Sequence, residues 1–337
     1  MAVSDGVMRS ALAPVVGLLV ATAVLVVTEP ARAAPSAEAE AWLDGLTKRV
    51  VADLAAGKPL VVQAHVPLCD NDVIPCGNAR LGDGDRPEKN LYWATSEGFV
   101  GWFGRRGSGW KQVLDADGDA IGEDHVLDLR VWRRELVTPA AWRRAGAPAR
   151  FTMVVVAEAW RGEQIHRAFT HYADDLYGVT NHPVKLADGT VIAAGGDAHI
   201  VAYVGHNHLM DLAAFDWAAV AKRADARPRG AIAIACHTAV YMQDLVPSER
   251  QVPLVMTRDF LLASAAALEG GVLGFARGGD YAAIRKGAAA GYADGGDKPL
   301  GRVFGAFSNP ADRKWGTGSY SRNLNLHAEL HKAAQGK

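Results

Sequence analysis

Charge of one sign is what this sequence lacks most. Its 36 Lys and Arg nearly cancel its 37 Asp and Glu, leaving a formal net charge of -1 over 337 residues. Such a balance gives no electrostatic footprint for nucleic acid or an anionic membrane surface, and neither is expected as a partner. Sustained heptads, fixed-period repeats and long low-complexity tracts are also missing, which excludes coiled-coil, solenoid and fibrous classes. Cysteine is scarce, at three residues. A metal knuckle of the structural-zinc type is the less favoured reading of Cys69 and Cys76, because no second Cys or His pair stands nearby.

Long apolar runs are confined to one place. Met8-Arg9 precedes Ala11 to Val27, "ALAPVVGLLVATAVLVV", and Ala31-Arg32-Ala33 follows with the small-x-small pattern of a cleavage site. A basic start, an apolar stretch and an A-x-A end describe a secretory signal peptide over residues 1–33. The alternative, a retained anchor, suits a run of this length less well when it holds Pro14 and Gly17. Cleavage would release a secreted or periplasmic protein with no membrane attachment. Export changes how the cysteines read. Cys69 and Cys76, in the turn-rich "PLCDNDVIPCGN", form a plausible local disulfide. Cys236 is then left over, either inert or a reactive thiol.

The remaining pattern is α/β. Periodicity predicts a helix over 37–56 and strands near 59–66, 125–136, 149–160, 198–204, 230–236 and 253–257, with helical segments near 161–178, 211–223, 258–269 and 279–292. Asp188-Gly189 marks a hairpin. Strands that are apolar throughout and alternate with helices imply a mainly parallel sheet of roughly six strands, covered on both faces. No linker interrupts residues 34–337, which read as one domain ending in an irregular tail. Asp115, Asp117 and Asp119 have calcium-loop spacing, but Ala120 stands where that loop needs glycine and Val126 where it needs glutamate. A solvated turn is the better reading. His166 and His171, on one amphipathic helix, read as surface or packing residues, and the scattered tryptophans as buried ones.

Ligands bind outside the carboxyl ends of strands in open parallel sheets. Two such ends carry chemistry here: "IVAYVGHNH" delivers His206 and His208, and "AIAIACHT" delivers Cys236 and His237. An imidazole beside a thiol can take its proton and later protonate a leaving group. Gly205-His206-Asn207 and Ala235-Cys236-His237-Thr238 resemble the caspase, legumain and gingipain group of cysteine peptidases, over about residues 126–280. That resemblance implies a three-layer caspase-like sandwich, with His206 as acid–base and Cys236 as nucleophile. It places the backbone N–H groups of Cys236 and Asn207 at an oxyanion hole, with His208 and His237 alongside. It also implies a peptide or protein substrate and no cofactor or metal. Asn207 stands where the group has glycine, and Ile234 where many members have aspartate. These departures favour the alternative of a non-catalytic binding protein with the same fold. A zinc site at His206 and His208, completed by Asp211, Cys236 or His237, is the third reading.

Overall fold

All eight residues of Leu60–Pro67 (β1) are buried, including Gln63 and His65, as a strand covered on both faces requires. In the computed structural model, which describes residues 35–212, 215–242 and 249–315, this strand lies inside an eight-stranded sheet. The others are Lys111–Ala116 (β2), Val126–Val137 (β3), Arg150–Trp160 (β4), Ile200–Val204, Arg229–Ile234, Gln251–Thr257 and Phe307–Ser308. A separate two-stranded hairpin, Val184–Lys185 (β5) and Val191–Ile192 (β6), turns at Gly189, so the long strands that follow are β7 to β9 and the last is β10. The order across the large sheet is β10-β9-β8-β7-β1-β4-β3-β2. Strands β9, β8, β7, β1 and β4 run parallel, while β3, β2 and β10 are antiparallel additions at the edges.

The fold is thus α/β with a mainly parallel sheet, but with eight strands rather than the six expected. The two extra strands left little periodic signal. β2 alternates only weakly between exposed and half-buried positions, and β10 is two residues long.

Helices cover both faces. On one side Ala37–Ala55 (α1) buries Leu46, Val50, Val51 and Leu54 against the sheet, and its first turn is capped by Ser36, whose Oγ accepts from the Ala39 N–H at 3.1 Å. Two later helices, Ala265–Ala276 and Tyr281–Gly295, complete that layer. On the other side Ile165–Tyr177 presses Phe169, Tyr172, Ala173 and Leu176 onto Val201, Tyr203 and Ala231. The helix expected near 258–269 starts instead at Ala265, with Ser264 as its N-cap, leaving 258–263 as a loop. Tryptophans are structural: Trp102, Trp110, Arg105 and Arg134 all donate to the buried Glu269 carboxylate. Asp117 accepts from the Asp119 N–H in the turn after β2, and Asp115 pairs with Arg130. The segment read as a signal peptide lies outside the described residues, as does the tail from 316. Among the described residues no helix is long and apolar enough to cross a membrane.

Candidate functional site

The register of β7 and β8 decides where the loops carrying His206 and Cys236 begin. Val204 pairs with Ile234, so His206 and Cys236 each stand two residues beyond the same rung of adjacent parallel strands. The Gly205 N–H donates to Ile234 O at 3.2 Å and extends the ladder by one bond. Gly205 passes so close to Pro67 that a Cβ there would lie 2.8 Å from its ring, which brings the end of β1 to the same edge.

Each loop is held firmly. The Asn207 side chain donates from Nδ2 to Cys236 O at 2.6 Å, while its Oδ1 accepts from the N–H groups of Leu209 and Met210, capping the turn His208–Asp211. One half of the amide therefore ties the histidine loop to the cysteine loop, and the other half caps the turn within the histidine loop itself. Tyr203 Oη donates to His206 O at 2.8 Å. Beyond β8, Thr238 Oγ1 donates to Ala233 O at 2.7 Å and Thr257 Oγ1 donates to Ala235 O. His237 adopts φ 54°, a left-handed conformation uncommon outside glycine, and its ring meets Phe260 edge-on at 4.5 Å. Such a tight turn after a strand exposes the residue before it to the sheet's edge.

The side chains of His206 and Cys236 have other partners in this structure. Tyr92 Oη and His206 Nε2 form a hydrogen bond of 3.1 Å, and the Cys236 thiol donates to Leu261 O at 3.6 Å. Burial pushes the thiol pKa up and carries the His206 imidazole down to about 4. The resting pair is therefore two neutral groups, not a thiolate–imidazolium ion pair. Tyr92 lies near both: burial raises its own pKa first, and the charge of a Cys236 thiolate raises it further. Asn90, buried in the loop before it, accepts the N–H groups of Cys69 and Tyr92 on one oxygen and donates to Cys69 O. That single amide sets Tyr92 and Cys69 beside each other.

Cys69 and Cys76 are joined in a disulfide with Cα atoms 6.0 Å apart. Their sulfur atoms and one His206 ring nitrogen all lie within 4.8 Å of one another. The sequence reading missed this convergence, as it missed Tyr92 and Asn90. One signal was available: Cys69 follows β1, whose C-terminal end shares the edge with those of β7 and β8.

His208 does not join His206. It lies stacked on Phe169 and shares a 2.8 Å hydrogen bond with His166 Nδ1, its pKa lowered to about 4 by burial and then by His166. The His208, Asp211, Cys236 and His237 set needed for zinc at His206/His208 is not assembled among the described residues. His166, expected at the surface or in packing, is His208's hydrogen-bond partner. A second cluster, Glu123, Asp124 and His125, is taken up by ion pairs from Glu123 to Arg167 and His171.

Further inside the sheet lies an ionic core. His65 is fully buried, with Glu158 Oε2 at 3.1 Å from Nδ1 and Asp175 Oδ2 at 3.0 Å from Nε2. Burial opposes its charge, but the two carboxylates carry its pKa up to about 9. Burial likewise opposes charge on Glu158, and His65 more than compensates, holding that carboxyl below its usual range. Gln63 and Trp160 donate to Glu158, and Thr180 to Asp175. At the opposite ends of the strands lies a groove lined by Arg49, Lys58, His199 and Arg227, in which Lys58 and His199 reach Asp53, Arg227 pairs with Asp197 and Asp225, and Arg49 donates to the carbonyls of Pro228 and Asp197.

No protein-family model matches this chain, and neither does any curated protein or solved structure.

Proposed function

We propose that the protein is an exported cysteine hydrolase of the peptidase type, with Cys236 as nucleophile and His206 as its acid–base partner. The observation that carries this is the shared rung of β7 and β8, with the two loops tied together by Asn207 Nδ2 to Cys236 O. Because both groups rest neutral, the proton moves as the bond forms. Sγ attacks the acyl carbon of a peptide, its proton passes to the imidazole, and the imidazolium then protonates the leaving amine. Water, deprotonated by the same imidazole, cleaves the resulting thioester and regenerates the thiol. Tyr92, hydrogen-bonded to Nε2, orients the ring. The caspase-like relationship belongs to this proposal and not to the observed fold.

One observation favours the second reading, a non-catalytic binding protein of the same architecture: the His206 and Cys236 side chains bond to Tyr92 and Leu261 rather than to each other. The deciding experiment is alkylation of Cys236 against pH in the oxidised mature protein with chelator present, alongside labelling by peptidyl electrophiles. The hydrolase reading expects peptidyl labelling to outrun a small alkylating agent and to drop at least tenfold in His206→Ala. Equal slow rates for both reagents, unchanged in His206→Ala, would leave the binding reading standing.

A further inference from the structure

In the sequence the Cys69–Cys76 pair and His206 stand apart, one a local disulfide and the other half of a dyad. The fold brings them together across a separation of at least 130 residues. We propose that, when the disulfide is reduced, Cys69, Cys76 and His206 form a binding site for a zinc-class divalent ion, so that the loop acts as a thiol-gated metal site over the histidine. The conversion balances with a dithiol reductant. Thiol–disulfide exchange yields two protein thiols and a cyclic disulfide, and metal binding then releases two protons from those thiols.

Three features carry the inference. Donor atoms in a tetrahedral site with metal–ligand bonds of about 2.0–2.3 Å lie roughly 3.3–3.8 Å apart. A spread within 4.8 Å therefore closes with movements on the order of an ångström. The donor set selects the ion: two thiolates and an imidazole suit zinc and disfavour calcium and magnesium. Two thiolates also neutralise a doubly charged cation, which a site with fully buried Cys69 and half-buried Cys76 needs.

The loop is held by more than its disulfide. Cys69 is clamped by Asn90, and the Cys76 N–H donates to Asn71 Oδ1 at 2.9 Å. Asn71 Nδ2 in turn donates to Asn78 O. These bonds survive reduction and keep both sulfurs near the histidine. The fourth position is left for water, as in three-ligand zinc sites.

The metal site does not depend on the hydrolase reading, and its test needs no turnover. The mature protein is titrated with cobalt(II) alone, oxidised and after dithiol reduction and removal of the reductant, following the thiolate-to-cobalt absorption and the metal content per chain. The expected result is one ion per reduced chain, none in the oxidised chain, and binding weakened at least tenfold in Cys76→Ser and in His206→Ala. Cys236→Ala should bind as the parent does. Absence of cobalt absorption in the reduced protein overturns the proposal. So does binding that persists in Cys76→Ser but disappears in Cys236→Ala. The oxidised parent, with every side chain present, separates a lost site from a lost fold. If the hydrolase reading also holds, zinc added to the reduced enzyme should block turnover and a chelator should restore it.

Discussion

His65 and His206 are two imidazoles of one sheet with opposite charge states. His65 sits within β1 between Glu158 and Asp175, and its pKa rises to about 9. His206 sits beyond the end of β7 with a phenol as its partner, and its pKa falls to about 4. Burial pushes both down, so the carboxylates make the difference. The comparison separates structure from chemistry. An imidazole locked in its charged form by two buried carboxylates cannot cycle a proton, whereas a neutral one at a sheet edge can accept a proton whenever a thiol releases it. His65 therefore belongs to the core, and the proposed hydrolase reading assigns the chemistry to His206, although the two are the same residue type.

The largest effect expected from this division is Cys236→Ala, which should reduce hydrolysis at least ~10³-fold while leaving the unfolding midpoint within a few degrees of the parent. Residual activity within tenfold of the parent would show that the edge site is not where the chemistry happens. Glu158→Gln is the counterpart in the ionic core. Breaking one arm of a buried charge network costs about 3–5 kcal/mol, read as a lower denaturant midpoint. The alkylation rate of Cys236 in the still-folded protein should not change. A Glu158→Gln variant as stable as the parent would mean that His65 simply gives up its charge.

What the sequence disclosed follows the same division. The parallel strands and the edge carrying His206 and Cys236 were legible because β-branched runs ending in His or Cys need no knowledge of neighbours. The ionic core was not. Gln63 and His65 in "VVQAHV" and Glu158 in "VVVAEAW" are polar residues inside apolar strands, visible as anomalies, but that β1 pairs with β4 emerges only from the strand order. Tyr92 was hidden for a related reason. It belongs to an irregular loop whose position depends on Asn90 and on which strand end lies nearby. His166 faces His208 only because its helix crosses under β7, which amphipathic periodicity does not reveal.

The two histidines should also shape stability against pH in opposite directions. A folded pKa raised above the ordinary value of about 6.5 means that His65 contributes in full below pH ~6.5, and the contribution fades as pH climbs towards 9. His206, lowered to about 4, costs stability as pH falls from ~6.5 towards 4, because the unfolded chain takes up the proton first. Glu158, held low, adds to that acid limb: its contribution is present above pH ~4.3 and lost below it. Urea unfolding at pH 5, 7 and 9 checks this. His65→Gln should flatten the decline between pH 7 and 9, while His206→Ala should ease only the decline between pH 7 and 5. If the two variants change the same limb, the assignment of charged and neutral imidazoles is wrong.

The smallest effect tests whether the phenol matters to the edge site at all. Tyr92→Phe removes one hydrogen bond to His206 Nε2 and leaves the ring's packing in place. A net hydrogen bond is worth about 0.5–1.5 kcal/mol, so turnover should fall some two- to tenfold. A purely structural role would alter stability without touching the pH profile of kcat/KM. A positioning role predicts more, because Tyr92 is in the electrostatic field of Cys236 as well as bonded to His206. Once the phenol is gone, a thiolate at Cys236 loses a nearby hydroxyl and the imidazole loses the partner that fixes its plane. The limb of the profile set by these two groups should then shift, while that of a remote variant such as Glu158→Gln stays where it was. An unchanged profile in Tyr92→Phe would reduce Tyr92 to a packing residue and leave His206 oriented by its backbone alone, through Tyr203 Oη on its carbonyl.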